Sequence, residues 1–310
     1  VACFKPIKGY RAPSGRVTFD RKNSTGALAE VPCGQCIGCR LDYAQSWAIR
    51  CLHEASLHDE NSFLTLTYDD ENLPRHGSLQ PKHFTDFMKR FRKEIEPDKI
   101  KYYMCGEYGA DSGRPHYHAL IFGYSFPDKR LWSYSEGKNP DYRSTQLERL
   151  WPHGFNLISA VDYKSAGYVA RYTIKKLRGA ALEKRDPDTD LLPYERIDVQ
   201  TGEIVTIEPE YGRMSRGGNV KGSHGLGYDW YQQFKDDVFP DDFCIHKGKK
   251  VKTSKYYRNL LEAENPDMAN ALREKRIGAA AKHKDNQTRE RLEVREKVKL
   301  AQIATLTRGL

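Results

Sequence analysis

The chain has 310 residues and carries 51 Lys+Arg against 42 Asp+Glu, a formal charge of +9. That length can bury a substantial core as one large domain or two ordinary ones, and the positive surplus points to a polyanionic partner. No apolar run approaches a membrane span, and the opening VACFKPIKGY lacks a signal-peptide core, so the expectation is a soluble, cytosolic protein with no membrane partner.

In chain order, the first thirty or so residues read as loop, ending at VPCGQCIGC. Seven cysteines, an odd count, fit reduced thiols or metal ligands better than a disulfide framework. Cys33, Cys36 and Cys39 have the spacing of the first three ligands of a ferredoxin-type run, but Tyr43 stands fourth and no Pro follows. Structural zinc suits them better, with Cys3, Cys51 or His53 as fourth ligand; the alternative is three reduced thiols in a tight turn.

From Leu41 to Leu57 the apolar residues Leu41, Ala44, Ala48, Cys51, Leu52 and Ala55 follow helical spacing. SFLTLTY (62–68) is β-rich and closes on the turn residues of DDENLPRHGS. PKHFTDFMKRFRKEI (81–95) predicts a helix, with Pro81 near its start and Phe84, Phe87, Met88, Phe91 and Ile95 along one side. IKYYMCGE (100–107) and HYHALIFG (116–123) predict two strands joined by a hairpin-like connection. A polar insertion follows from Tyr124 to about Pro152, with a short helix at Thr145–Leu150. GFNLISAV (154–161) predicts a strand and residues 162–179 a helix. Residues 183–225 read as long loops with a short strand at EIVTIEP, KGKKVKTSK (247–255) as a lysine run, and the end from Tyr256 as charged helix with Pro266 opening a new segment. This order predicts an α+β fold: an antiparallel sheet of about five strands with flanking helices, an N-terminal Cys-rich segment and a C-terminal helical extension. The expected segments are 1–58, 59–210 and 211–310.

Alternate residues of a strand share a face, so His116 and His118 point one way and Tyr117 the other. If the two strands pair as an antiparallel hairpin, Glu107 lies beside His116. Two imidazoles and a carboxylate on a rigid sheet can hold a divalent cation with positions left for water or a phosphate oxygen. The mixed N/O set predicts that Mn²⁺ serves at least as well as Mg²⁺. In YVARYTIKK (168–176), Tyr168 and Tyr172 stack on one helix face about 6 Å apart at Cβ, with Lys175 and Lys176 continuing that side. A phenol is a poor nucleophile, only about a thousandth ionised at neutral pH, unless a metal-bound phosphate and an ammonium assist it.

These motifs together resemble the HUH superfamily of rolling-circle replication initiators. His116-Tyr117-His118 before aliphatic residues, then Tyr168-x3-Tyr172-x2-Lys175, resemble its metal and two-tyrosine motifs, and FLTLTY (63–68) its first motif. CGQCIGCR, RPHYHALIFG, GYVARYTIKK and RERLEVREKVKLAQI are similar to the initiators of gokushovirus-type microviruses. Tyr117, where many members have a bulky aliphatic residue, is a departure on the side away from the metal. The resemblance implies an HUH/RRM-like core that nicks single-stranded DNA at a replication origin and rejoins it. One tyrosine attacks the scissile phosphate and leaves a free 3′-OH and a 5′-phosphotyrosyl link. The second tyrosine allows repeated rounds, and the Y-x2-K pattern of single-tyrosine relatives maps onto Tyr172 and Lys175. Also implied are Mg²⁺ or Mn²⁺ at Glu107, His116 and His118, host replication proteins as partners, and the host bacterial cytoplasm as location.

Two other readings compete. One is a non-catalytic nucleic-acid-binding protein, with Tyr102, Tyr103 and Phe122 stacking on bases and a zinc knuckle at 33–39. The other is a metal-dependent nuclease that uses water. KGKKVKTSK and the C-terminal helix offer salt-dependent, sequence-blind grip on phosphates.

Overall fold

A computed structural model describes residues 3–109, 112–135, 139–175, 182–216 and 224–305, and of 172–175 only the backbone. In chain order the elements are β1 (Ile7–Arg11), β2 (Val17–Thr18), β3 (Leu28–Val31), α1 (Ile37–Ala55), β4 (Asn61–Thr67), α2 (Pro81–Glu94), β5 (Lys101–Tyr108) and β6 (Pro115–Phe122). Then come β7 (Arg130–Tyr134), β8 (Pro140–Arg143), α3 (Thr145–Leu150), β9 (Asn156–Ser159), α4 (Tyr163–Lys175), β10 (Glu195–Ile197), β11 (Ile204–Thr206) and β12 (Tyr211–Met214). The chain ends with α5 (Tyr228–Val238), β13 (Phe243–His246), β14 (Lys249–Lys252), α6 (Lys255–Glu264), α7 (Pro266–Ala281) and α8 (Arg289–Ala304).

Two compact units result, one of residues 47–237 and one of 1–46 with 238–310. These limits differ from the expected 58/59 and 210/211 because the flanking helices are tied to the sheet. Arg50 of α1 donates to the Leu226 carbonyl at 2.8 Å, and Glu54 accepts from the Gly227 N–H at 2.7 Å. Lys101 of β5 bridges Glu54 at 2.9 Å and Asp229 of α5 at 2.8 Å.

The larger unit is built on a seven-stranded sheet in the order β12-β5-β6-β4-β9-β8-β7, with every paired strand antiparallel. It is wider than the expected five strands at both edges. The polar insertion supplies β7 and β8, and the stretch expected as loop supplies β12 and the β10–β11 hairpin. The first thirty residues likewise form a small sheet, β2-β1-β3, rather than loop. The lysine run forms the β13–β14 hairpin.

One face of the large sheet carries the apolar core. Leu64, Leu66, Met104, Tyr117, Ala119 and Ile121 meet Phe84, Phe87, Met88 and Phe91 of α2, whose 3–4 spacing makes one stripe. Burying each such side chain is worth about 1.5–3 kcal/mol. Helix α3 begins at Ser144, whose hydroxyl accepts from the Leu147 N–H at 3.1 Å, a cap worth about 1 kcal/mol. Gly106 is required where β5 passes beneath the rings of Tyr117 and Tyr211: an added Cβ would lie 3.0 Å from each.

Tyr117, between the two histidines, is fully buried on this core face. Its hydroxyl accepts from the Gln80 N–H and donates to the Gln80 carbonyl, both at 2.9 Å, and meets the Tyr68 hydroxyl at 3.0 Å. Tyr68 reaches His83 Nδ1 at 2.8 Å, and His83 stacks on His153 with centroids 4.4 Å apart. The middle of the histidine motif is thereby pinned to the start of α2, a role that an aliphatic residue cannot fill.

Burial holds both His83 and His153 below the usual imidazole range, with the neighbouring His83 adding to the effect on His153. An imidazole with a depressed folded pKa contributes stability that is complete above about pH 6.5 and declines as pH falls below it, because unfolding then takes up a proton. Urea midpoints should therefore drop between pH 7.5 and pH 5.5, and His83→Asn should flatten that slope.

Candidate metal and nucleophile site

The opposite face of the same strands carries the chemistry. Glu107 of β5 stands directly across from His116 of β6, and Cys105 across from His118. On the other side of β6, Thr67 of β4 pairs with His116 and Thr65 with His118. The period of two then puts Glu107, His116, His118 and Thr65 on one surface, as the hairpin reading requires.

One ligand atom from each of Glu107, His116 and His118 lies within 4.8 Å of the others. Glu107 Oε1 is 3.2 Å from His116 Nε2 and 3.5 Å from His118 Nε2. The other ring nitrogens are occupied: His116 Nδ1 sits 3.1 Å from the Arg114 carbonyl, and His118 Nδ1 3.1 Å from Thr65 Oγ1. An Nδ1–H donated to the carbonyl leaves His116 Nε2 as the free lone pair facing the cluster. Phe63 stacks on His118 with centroids 5.5 Å apart and fixes its plane. Sequence reading passed over Thr65 and Arg114 as orienting groups. Their signal is register alone, Thr65 opposite His118 and Arg114 two residues before His116.

Helix α4 packs on β5, β6 and β12. It delivers Tyr168, whose hydroxyl donates to Glu107 Oε1 at 2.6 Å and whose ring lies edge-on to His118 at 4.8 Å. Glu107 is almost wholly buried. Burial opposes its ionisation, but hydrogen bonds from His116, His118 and Tyr168 prevail and hold the carboxyl far below its usual range. Burial, then the charge and hydrogen bond of Glu107, push the Tyr168 phenol well above 10. The four groups are one network of a carboxylate, two imidazoles and a neutral phenol. Tyr172 and Lys175 fall on α4, with side chains outside the described residues, and Lys176 lies outside them altogether.

The cysteines form a second cluster. One Sγ each from Cys3, Cys33, Cys36 and Cys39 lies within 4.8 Å of the rest, so of the three candidates for fourth member it is Cys3 that joins. Cys3 Sγ is 3.6 Å from Cys33 Sγ and 3.9 Å from Cys36 Sγ. Cys51 is fully buried in α1, and His53 stacks on Trp230 with centroids 3.4 Å apart.

The stacking residues of the non-catalytic reading lie elsewhere than that reading needs. Tyr103 and Phe122 are buried, and Tyr102 is half-buried against the core. The exposed aromatics are instead Trp132, Tyr134 and Phe155, in or beside the stretch read as a polar insertion. Lys249, Lys250 and Lys252 are exposed on β14, with Lys250 Nζ 4.2 Å from the Phe243 ring centroid. Among the described residues no helix is long and apolar enough to cross a membrane.

Residues 61–177, the stretch holding both histidines, Glu107 and both tyrosines, match the family model described as replication-associated protein ORF2. Replication-associated protein VP4 of Bdellovibrio phage phiMH2K is 30% identical over 275 residues, 86% of this chain and 78% of the relative. Replication-associated protein ORF2 of Spiroplasma virus 4 is 30% identical over 291 residues, 86% of this chain and 82% of the relative. Replication-associated protein ORF4 of Chlamydia phage 1 is 35% identical over 153 residues, 47% of this chain and 38% of the relative. No solved structure matches the chain. With two relatives aligned along most of both lengths, and the family match centred on the strands and helix that assemble this cluster, the chain belongs to the phage replication-associated proteins, as a microvirus-type rolling-circle initiator.

Proposed function

We propose that the chain nicks single-stranded DNA at a replication origin and rejoins it through a 5′-phosphotyrosyl link. The observation that carries this reading is the Tyr168 hydroxyl 2.6 Å from the carboxylate of the Glu107–His116–His118 cluster. A water-using nuclease has no need of a phenol there.

The cluster suits a divalent ion by its donor set: two imidazoles and one ionised carboxylate converge, with ring nitrogens already occupied on the far side. Glu107, His116 and His118 would hold Mg²⁺ or Mn²⁺, and when bound the ion supplies positive charge against the oxygens of the scissile phosphate. The chain's own residues do the rest. His118 and Glu107 hold the Tyr168 ring and hydroxyl, so the nucleophile meets the phosphate already oriented. The phenol oxygen forms its bond to phosphorus as its proton is lost, and the bond to the 3′ oxygen breaks. That oxygen takes a proton and leaves as the 3′-OH that primes synthesis. The reverse reaction, with a later 3′-OH as nucleophile, reseals the strand without ATP because the ester bond count is unchanged. Tyr172, one helical turn on, is the second nucleophile, and Lys175 and Lys176 offset phosphate charge. The four-cysteine cluster suits zinc in a structural role, its ligands all thiolates with no open position.

The test uses overlapping single-stranded oligonucleotides that tile the viral genome encoding the chain, incubated with protein and Mn²⁺, with and without chelator. Intact-mass measurement should find one oligonucleotide class covalently attached, dependent on the metal. Cutting without an adduct would favour the water-using nuclease instead, and no cutting on any tile would remove the enzyme.

A further inference from the structure

The face that holds the cluster continues past β6. Helix α4 lies over β5, β6 and β12, whereas Thr65, Thr67, Leu157 and Ser159 on β4 and β9 are only partly buried. The Thr67 N–H and hydroxyl both donate to the Phe155 carbonyl at 2.8 Å, and Thr67 itself pairs with His116. At about 4.8 Å per strand, Phe155 sits roughly 10 Å along the sheet from His116. The backbone leading into it is held close: Gly154, at φ +144°, packs so tightly that an added Cβ would lie 2.3 Å from the Asp69 nitrogen.

Next to Phe155 stand Arg143, at the end of β8, and Trp132, at a bulge in β7. The Arg143 guanidinium lies 4.7 Å from the Phe155 centroid and 4.8 Å from that of Trp132. Its Nη2 is fixed by Glu148 at 2.7 Å. The two rings are 6.2 Å apart, edge to face, yet Trp132 is 57% and Phe155 39% exposed. Large aromatic rings braced by a cation and left in water are costly in a folded monomer unless something covers them. The occupant must offer flat apolar faces and tolerate a basic surface. Unpaired bases do so, whereas a duplex keeps its base faces stacked inside.

We propose that Trp132 and Phe155 are a base-stacking platform for unpaired nucleotides flanking the scissile linkage, with Arg143 holding the two rings in place. The position of the scissile linkage rests on the nicking reading above. The platform itself rests only on the exposed rings.

The experiment compares Trp132→Ala, Phe155→Ala, the double variant and Trp132→Phe with the wild type. Fluorescence anisotropy with labelled single-stranded and duplex oligonucleotides in chelator measures binding without chemistry. Each alanine should weaken single-strand binding about 10-fold or more while duplex binding stays within two-fold. Trp132→Phe should retain most of the affinity. Among the four tryptophans, Trp47 and Trp151 are buried and Trp230 is stacked on His53, so quenching by single strands should come from Trp132 and vanish in Trp132→Ala. Unchanged single-strand affinity in the double variant, at unaltered melting temperature, overturns the proposal and marks the rings as a protein-binding patch. An equal loss for duplex and single strands overturns it too. Covalent adduct formation by the wild type decides the nicking reading separately, so either idea can fail while the other stands.

Discussion

Tyr168→Phe should abolish the first covalent attachment to DNA, lowering adduct formation about 10³-fold or more, while Tyr172→Phe should leave the first turnover within about 10-fold. The difference follows from the geometry of one hydroxyl. Tyr168 already donates to Glu107 inside the cluster, and its ring abuts His118. The Y-x2-K pattern alone points to Tyr172, so the two single variants decide between pattern and geometry. Removing both hydroxyls should leave no adduct at all, with the double variant still folded. Losing the hydrogen bond to an ionised carboxylate costs about 1.5–3 kcal/mol, partly recovered because a phenyl ring fills the same space. Adduct bands and intact masses under Mn²⁺ read the chemistry. A Mn²⁺-induced rise in melting temperature, which needs Glu107, His116 and His118 but not the phenols, reports that the site is intact. A persistent adduct in the double variant would sink the tyrosine assignment.

How much of this was legible in the sequence depended on whether the signal was local. The His116–Tyr117–His118 alternation fixes two side chains on one face by the strand period alone, and the short connection to β5 makes antiparallel pairing nearly compulsory, so Glu107 falls into place. Helix α2 was equally plain, because Phe84, Phe87, Met88 and Phe91 repeat at helical spacing after Pro81. The misread segments are those whose structure comes from distant partners. β12 has only Tyr211 to Met214 and no apolar alternation, and it becomes a strand by pairing with β5 more than a hundred residues earlier. β1 and β3 are likewise defined by each other, Ile7 against Val31, across a stretch of turn residues. Trp132 and Phe155 lie 23 residues apart in the chain, and only the sheet makes them neighbours. Sequence spacing narrowed the fourth cysteine to three candidates, and the fold selected the most distant, because the β1–β3 sheet carries residue 3 back to residue 33.

The four-cysteine cluster should contain one zinc per chain after purification under reducing conditions, and Cys3→Ser should lose it. In the ion-free cluster the thiols are unequal. Burial works against the Cys33 thiolate, but N–H groups of Cys36 and Gln35 bring that thiol down to about 7, whereas burial pushes Cys39 far up. Four sulfurs within 4.8 Å cannot all be charged without a cation between them. The surroundings already favour thiolate ligands: the Phe4 N–H points at Cys36 Sγ at 3.3 Å and the Cys33 N–H at Cys3 Sγ at 3.2 Å. Phe4 and Cys36 also pack with Leu292 of α8, so the cluster ties the N-terminal segment, the start of α1 and the last helix together around very little apolar surface. Structural zinc in small modules carries about 10–16 kcal/mol of apparent binding energy, far more than three small side chains supply by burial. Chelation, or Cys3→Ser, should therefore lower the melting temperature and open residues 1–46 to proteolysis while the 47–237 unit remains resistant. Because protons compete for the thiolates, the same loss should appear on acidification and reverse when pH and zinc are restored. Metal analysis finding well under one equivalent of zinc in folded wild-type protein would leave the cysteines as reduced thiols packed in a turn.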